Sequence, residues 1–310
     1  MTAHDLHALV GDSTLLRQLR AVVAKIARTN MTVLIEGPTG SGKELVARAL
    51  HTGSGRSGCF VAFNVCAIGE AMFEDALFGH VRGAFTGASR DSLGFLREAN
   101  GGTAFLDEIS GLPPALQAKL LRAVETGVFR PVGAGQDARS NARIVAATNE
   151  DIATLVADHR FRADLAHRLR AVTIRVPSLA EHVEDVPWLV RHFLEQAGFG
   201  ALRVTPGALA ALARRAWPGN IRELKHVVEW AAIVAQDALD EATLERAVAT
   251  QGLHECPEGL TAEAEALRDA LTRNGGNKEL TAQELGVHLA TVHRRIKKHR
   301  IIVDAPSASG

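Results

Sequence analysis

Apolar positions recur with two periods along this chain, and the change between them marks its parts. Leu15, Leu16, Leu19, Val22, Val23 and Ile26 follow a 3.6-residue repeat. They predict a helix over Asp12 to Arg28, with Asp12 or Ser13 as its N-cap. Short β-branched or aromatic runs then alternate with helical patterns. Thr32 to Ile35, Phe60 to Phe63, Thr103 to Leu106, Ala142 to Ala147 and Val172 to Val176 read as buried strands. Leu45 to His51, Glu70 to Phe78 and Leu116 to Glu125 read as helices between them. Such alternation predicts an α/β fold, a parallel sheet with helices on both faces. From Glu184 no further strand is expected. Val186 to Gln196, Pro206 to Arg215, Asn220 to Ala235 and Glu241 to Val248 carry helical spacing and predict a separate helical subdomain. Thr250 to Gly259, with Gly252, Pro257 and Gly259, reads as a linker. A helix over Ala262 to Arg273 follows, then one capped by Asn277 and running to Leu285. A turn at Gly286-Val287 leads to a last helix from about Leu289 to Arg300.

The breaks between these elements carry the chemistry. Gly37-Pro38-Thr39-Gly40-Ser41-Gly42-Lys43-Glu44 lies between the first strand and a helix, the setting of a P-loop. Its glycines let backbone N–H groups turn toward phosphate oxygens, the helix N-terminus adds its dipole, and Lys43 supplies a cation. Glu44 stands where a magnesium-holding hydroxyl is usual. Downstream, the strand at Thr103 ends in Asp107-Glu108. After a P-loop, such a pair suits magnesium binding by Asp107 and polarisation of the attacking water by Glu108. An ordinary helix N-terminus is the alternative. Asn149 closes another strand, where a polar residue can sense the γ-phosphate. Arg162 and Arg168 are placed to reach a neighbouring subunit's nucleotide, or are simply solvated. Arg222, in the turn Trp217-Pro-Gly-Asn-Ile-Arg222, opens a helix of the second subdomain and suits a lid arginine. Gly83-Ala84-Phe85-Thr86-Gly87-Ala88 is a glycine-bounded loop with an apolar side chain and a hydroxyl at its tip. It is a surface turn whose Phe folds back, or a contact point.

Charge narrows the partners. The chain has 310 residues, 35 basic and 35 acidic, and 46% of it is hydrophobic. It is a packed protein with no global attraction to nucleic acid, so DNA binding needs a local cluster. The last helix supplies one. Arg294, Arg295, Lys297, Lys298 and Arg300 follow the short glycine turn, in helix-turn-helix order. Cys59, Cys66 and Cys256 lack zinc spacing and read as reduced, partly buried thiols. Neither a secretory signal nor about 18 uninterrupted apolar residues is present, which predicts a cytoplasmic protein away from membranes.

With those residues in view, the chain resembles the bacterial enhancer-binding proteins, AAA+ activators of the sigma-54 form of RNA polymerase. The resemblance runs from about Gly11 to Ile302. It rests on GAFTGA at Gly83 to Ala88, GPTGSGKELVARALH, GGTAFLDEIS, LQAKLLRAVE, FRADL, WPGNIRELKHVVE and the Fis-like terminal helix-turn-helix. It implies an AAA+ P-loop fold over 1–177, an α-helical lid over 178–250, a linker over 251–260, a DNA-binding domain over 261–303 and a tail over 304–310. It further implies ATP and Mg2+ bound around Lys43, with Glu44 normal in the family, and hydrolysis by Asp107 and Glu108. Asn64 matches the residue that restrains the catalytic glutamate, Asn149 sensor I and Arg222 sensor II. Arg162 and Arg168 match arginine fingers acting in trans, which imply a homo-oligomeric ring, a hexamer built through dimers. Gly83, Ala84, Phe85, Thr86, Gly87 and Ala88 would contact sigma-54. Ala290, Thr291, Arg294, Arg295, Lys297 and Lys298 are the candidate contacts to enhancer DNA.

Two departures stand out: Arg97 replaces a usual Glu, and Ala180-Glu181-His182 replaces an Arg-Glu-Arg entry to the lid. About 36 residues precede Gly37, too few for an independent regulatory domain. Control in trans by a separate inhibitor or co-activator protein, or by expression level, is therefore expected. The competing readings are an AAA+ DNA-remodelling ATPase of another class and a non-hydrolysing DNA-binding regulator.

Overall fold

The computed structural model describes residues 9–235, 237–252, 270–271, 274 and 277–285. The chain divides into two compact units, Met1–Glu241 and Ala242–Gly310.

The first unit begins with α1 (Thr14–Ala27), capped by the Ser13 hydroxyl, which accepts from Leu16 N at 3.2 Å. Then follow β1 (Val33–Glu36), α2 (Lys43–Thr52), β2 (Phe60–Asn64), α3 (Glu70–Phe78), α4 (Phe95–Glu98), β3 (Thr103–Asp107) and α5 (Pro114–Thr126). A small hairpin, β4 (Val128–Phe129) with β5 (Ala138–Arg139), precedes β6 (Arg143–Thr148). Next come α6 (Ile152–Ala157), α7 (Ala163–Leu169) and β7 (Val172–Arg175). Five strands form one sheet in the order β2-β3-β6-β1-β7, and every neighbouring pair is parallel.

Alternation along the strands divides the core into two layers. Val33 and Ile35 of β1 pack with Leu19 and Val23 of α1 and Val46 and Leu50 of α2. Leu34, between them, points to the opposite layer, with Phe73, Leu77, Leu120 and Leu165. Likewise Phe105 joins the first layer, while Ala104 and Leu106 join the second. Successive side chains leave a strand on opposite faces, so a sheet covered on both faces needs continuous apolar runs. The expected α/β sheet is therefore observed, with its five strands as read.

The lid follows as α8 (Val186–Gln196), α9 (Pro206–Arg214) and α10 (Asn220–Val234). Leu189, Phe193, Leu212, Leu224 and Val228 are among its buried residues. The expectation that strands stop at Glu184 needs a small correction. β8 (Arg203–Val204) and β9 (Ala238–Leu239) pair in parallel. Two residues per strand leave no alternation to read, and the pairing joins segments far apart in sequence.

In the second unit, α11 (Glu241–Gly252) starts at the boundary and runs past Val248, so the expected linker begins inside a helix. α12 (Lys278–Glu284) is capped as read: Asn277 Oδ1 accepts from Leu280 N at 3.2 Å. The rest of the linker, the turn at Gly286 and the basic last helix, with Ala290, Thr291, Arg294, Arg295, Lys297 and Lys298, lie outside the described residues. Among the described residues, no helix is long and apolar enough to cross a membrane.

One buried cation braces the sheet against α1. Arg143 is 3% exposed and donates to Ala27 O at 2.9 Å, Ile26 O at 3.0 Å and Met31 O at 3.2 Å. It satisfies carbonyls that the end of α1 leaves unpaired. Burial, aided by repulsion from Arg56, pulls its pKa down to about 10. We expect Arg143→Met to fill similar space while stranding these acceptors, lowering stability by about 2–4 kcal/mol. Urea unfolding of both proteins measures this directly.

Candidate functional site

The chemistry gathers at the carboxyl end of the sheet, where parallel α/β folds bind ligands. β1 leads into Gly37 and the loop ends at Lys43, the first residue of α2. Gly40 has φ +75°, and a Cβ there would lie 2.3 Å from Gly219 O. Only glycine permits both this conformation and so close an approach of the lid backbone. Lys43 is 7% exposed. Its Nζ donates to Gly37 O at 2.9 Å and Pro38 O at 3.4 Å, and lies 3.7 Å from a carboxylate oxygen of Glu108. The ammonium thus sits between the loop and the acidic strand end. Glu44 accepts from Arg48 Nε and Nη2 at 3.0 and 2.7 Å, one turn further along α2.

Strand register delivers the acids. Asn64 on β2 is paired directly with Asp107 on β3. Glu108 then takes a left-handed backbone conformation, φ 54° and ψ 49°. That costs a non-glycine residue roughly 1–2 kcal/mol. Burial pushes the Asp107 carboxyl above its usual range, Lys43 and the Glu108 N–H pull it back, and Glu44 pushes it up again. A half-desolvated carboxylate with acidic neighbours fits an added cation. Its oxygen donors suit Mg2+, which takes one or two carboxylates and completes its shell with phosphate and water. Among the described residues there is no cluster of three or more metal-ligating side chains. Asn64 does not bond Glu108. Its Oδ1 accepts from Cys66 N at 2.9 Å and caps a short turn. Cys59 and Cys66 are both free and exposed, not partly buried as expected.

Two asparagines, Asn149 just after β6 and Asn220 in the lid, bind this edge through Thr39. Asn149 Nδ2 donates to Thr39 Oγ1 at 3.0 Å. Asn220 Nδ2 donates to Thr39 O at 3.0 Å, and its Oδ1 accepts from Leu179 N at 2.9 Å. Arg222 N donates to Gly40 O at 3.2 Å. The result is a cleft of about 760 Å³ whose lining includes Thr39, Lys43, Asp107, Glu108, Arg222 and Lys225. The Arg222 charge faces Asp107 and helps lower its pKa. The role of Asn220 was missed in the sequence. It is 3% exposed at φ 53°, a conformation Asn tolerates better than most residues. Its place after Pro-Gly was the available signal.

A narrower apolar cavity adjoins the cleft and shares Gly42, Leu45, His192, Phe193 and Ile221 with it. Beside it runs a buried network that the sequence did not disclose. Asp185 Oδ1 accepts from Asp12 N at 2.6 Å and Ser13 N at 2.8 Å, and Oδ2 lies 3.1 Å from His182 Nδ1. Burial alone would raise the Asp185 carboxyl, but these hydrogen bonds and the neighbouring imidazole hold it below the usual range. The altered lid entry is therefore structured: Glu181 forms a capping box with Ser178, and His182 joins the network.

Arg162 and Arg168 do not line the cleft; both are exposed on or beside α7. Arg162 pairs with Asp164 through Nε at 3.1 Å and Nη2 at 2.8 Å. Buried Gln117 positions this loop, accepting from Arg162 N at 2.8 Å and donating to Arg160 O and Leu112 O at 3.0 and 3.1 Å. Gln117 was read only as part of a helix.

The Gly83–Ala88 loop stands apart from the cleft and is a closed turn. Gly83 N donates to Ala88 O at 2.9 Å, and Ala88 N to Phe85 O at 3.1 Å. Gly83 and Gly87 take φ of 83° and 103°. The base is fastened by Val81 N to Val132 O at 3.1 Å and Arg82 N to Asp91 Oδ1 at 2.7 Å. Phe85 remains 46% exposed, its ring edge-on to His80 at 5.0 Å. His80 is in turn paired with Asp75. The Phe thus leans back on the domain while its ring stays partly exposed. Arg97 is exposed on α4 and does not line the cleft.

Comparison with known proteins places these features together. Residues 9–175 match the sigma-54 interaction domain, 180–259 the AAA+ ATPase lid domain and 261–299 the bacterial regulatory protein, Fis family. The transcriptional regulatory protein ZraR of Klebsiella oxytoca is 40% identical over 94% of this chain and 68% of its own length. The DNA-binding transcriptional regulator NtrC of Azospirillum brasilense is 38% identical, over 93% and 69%. Among such curated relatives the chain spans from 50% to 69% of their length. The crystal structure of NtrX from Brucella abortus in complex with ATP matches with TM-score 0.68 and 35% identity, over 94% of this chain and 69% of that one. The ADP complex of the same protein gives 0.70 and 33%, over the same shares. The chain belongs to the family of sigma-54-dependent transcriptional regulators, with an AAA+ ATPase domain, its lid and a Fis-type helix-turn-helix region.

Proposed function

We propose that this chain converts ATP hydrolysis into remodelling of a sigma-54 RNA polymerase promoter complex, from closed to open. The observation that carries the reading is one edge of one sheet. It holds a P-loop lysine, a desolvated carboxylate and a second acid under a lid, while a half-exposed phenylalanine is presented elsewhere on the same domain. In this reading the loop from Gly37 to Lys43 binds the ATP phosphates and Arg222 reaches them from the lid. Asp107 holds Mg2+, which when bound neutralises phosphate charge. Glu108 orients and polarises the attacking water. Asn149, bonded to the P-loop through Thr39, senses the γ-phosphate.

Arg162 and Arg168 lie outside the chain's own cleft, which supports action on a neighbour's nucleotide. A homo-oligomeric ring follows, and six subunits is the number the family resemblance implies. Arg162 would exchange Asp164 for phosphate on assembly. Asn64 neighbours Asp107 on the sheet, which supports a role in passing the nucleotide state toward α3 and the loop. Phe85 and Thr86 then engage sigma-54. The Fis-type match over 261–299 supports anchoring to enhancer DNA, with Ala290, Thr291, Arg294, Arg295, Lys297 and Lys298 as contacts.

Two substitutions separate chemistry from coupling. Glu108→Gln should retain ATP binding by calorimetry while phosphate release falls about 100-fold or more. Thr86→Ala should hydrolyse ATP near the parent rate yet form no open complex with sigma-54 polymerase in vitro. Normal open-complex formation by Thr86→Ala would remove the loop from the mechanism.

A further inference from the structure

The apolar cavity beside the P-loop measures about 60 Å³, several times the space one water needs, and is walled by Leu9, Leu19, Leu45, Val176 and Ile221. The slot shares Gly42, Leu45, His192, Phe193 and Ile221 with the phosphate cleft, so it is within reach of the base of a nucleotide whose phosphates lie on the P-loop. Ser41 and His182 bring buried polar side chains to an otherwise mostly apolar wall; they are 4% and 2% exposed. The Ser41 hydroxyl has no hydrogen-bond partner among the described residues. A hydroxyl can turn to donate or accept, so Ser41 favours neither polarity.

His182 is different, because its orientation is set. It sits at a kink between two helical turns, with φ −144° and ψ 48°. Its Nδ1 lies 3.1 Å from Asp185 Oδ2. The Asp185 carboxylate already accepts two backbone N–H groups from Asp12 and Ser13, so the surrounding hydrogen bonds support its ionised form. An ionised carboxylate only accepts, and therefore places the ring proton on Nδ1. In its neutral form the ring then carries a lone pair on Nε2. That nitrogen makes no hydrogen bond to any described residue, and the residue lines the slot.

We propose that His182, oriented by Asp185, is a nucleobase-specificity determinant that accepts a hydrogen bond from the exocyclic amine of adenine. This rests on the ATP-binding reading above and adds to it a residue that discriminates between purines. Adenine presents an amine donor at C6; guanine and hypoxanthine present a carbonyl acceptor there. A carbonyl opposite Nε2 leaves two acceptors unpaired in an apolar slot, and such mispairing costs more than a lost contact. Ser41 would accommodate either base, and His192, which also lines the slot, has no side-chain hydrogen bond to a described residue that would fix its polarity, so the choice falls to His182.

The test is calorimetric titration of the full chain with ADP and with IDP, which are not subject to γ-phosphate hydrolysis. IDP replaces the amine by a carbonyl without adding the 2-amino group of guanine. The parent protein should bind ADP about tenfold or more tightly than IDP. His182→Leu should weaken ADP and leave IDP nearly unchanged, collapsing the ratio. His182→Gln, whose amide offers either polarity, should keep ADP binding and compress the ratio by strengthening IDP. A merely structural role would weaken both nucleotides equally. An ADP-to-IDP ratio near one in the parent, or an unchanged ratio in correctly folded Leu and Gln variants, would overturn the assignment. Were the Leu variant not to fold, the parent and Gln ratios would still decide. Failure of the parent to bind ADP at all would overturn the nucleotide reading itself, a distinct result.

Discussion

Parallel pairing among β2, β3, β6 and β1 is the constraint on which the site depends. Because these strands run the same way, the residues that close them emerge together. Asn64 stands beside Asp107, and Glu36 beside Thr148. The P-loop leaves from the end of β1 into the same space. Lys43 then lies between loop carbonyls and Glu108, and burial raises the Asp107 carboxyl above its usual range. An antiparallel neighbour would send one of these termini to the far side of the sheet. The apolar layers on both faces hold the arrangement, since each strand must bury alternate residues in opposite directions.

A second constraint works through backbone contact. Gly40 and Gly219 approach more closely than any side chain would allow, and Thr39 is held by Asn149 and Asn220. Two segments distant in sequence, one at Asn149 and one at Gly219 and Asn220, therefore meet at two residues of the P-loop. Any ligand that reshapes the loop must also act on the lid and on the end of β6. The Asp185 network does the same at the other side of the lid, joining Asp12 and Ser13 to His182. The P-loop and the lid are thus joined by direct contacts. The presented loop is tethered separately through Val81, Val132 and Asp91.

Much of this was open to reading from local pattern. Strands, helices and the P-loop depend on short-range physics: side-chain alternation, glycine freedom, capping by Ser13 and Asn277. Asp107-Glu108 was legible because adjacent acids after an apolar strand have few other uses near a P-loop. Gln117, Asn220 and the His182–Asp185 pair were not. Each is a polar residue whose partners lie far along the chain or in a neighbouring turn, and no spacing rule distinguishes such a residue from a solvated one. Asn64 shows the converse. Its place beside Asp107 follows from the strands, but its present partner, Cys66 N, is a property of a turn.

The order of residues alone thus determined the α/β fold, the nucleotide-binding motifs and the glycine-bounded loop, because those are written in periodicity and in residues with special backbone freedom. Tertiary structure decided which polar groups meet, which carboxylates lose water and which arginines face away from their own cleft. Those outcomes depend on burial and long-range approach, quantities that a linear pattern does not contain. They make Asp107 a partly desolvated acid, Arg162 a surface cation and His182 the buried partner of Asp185.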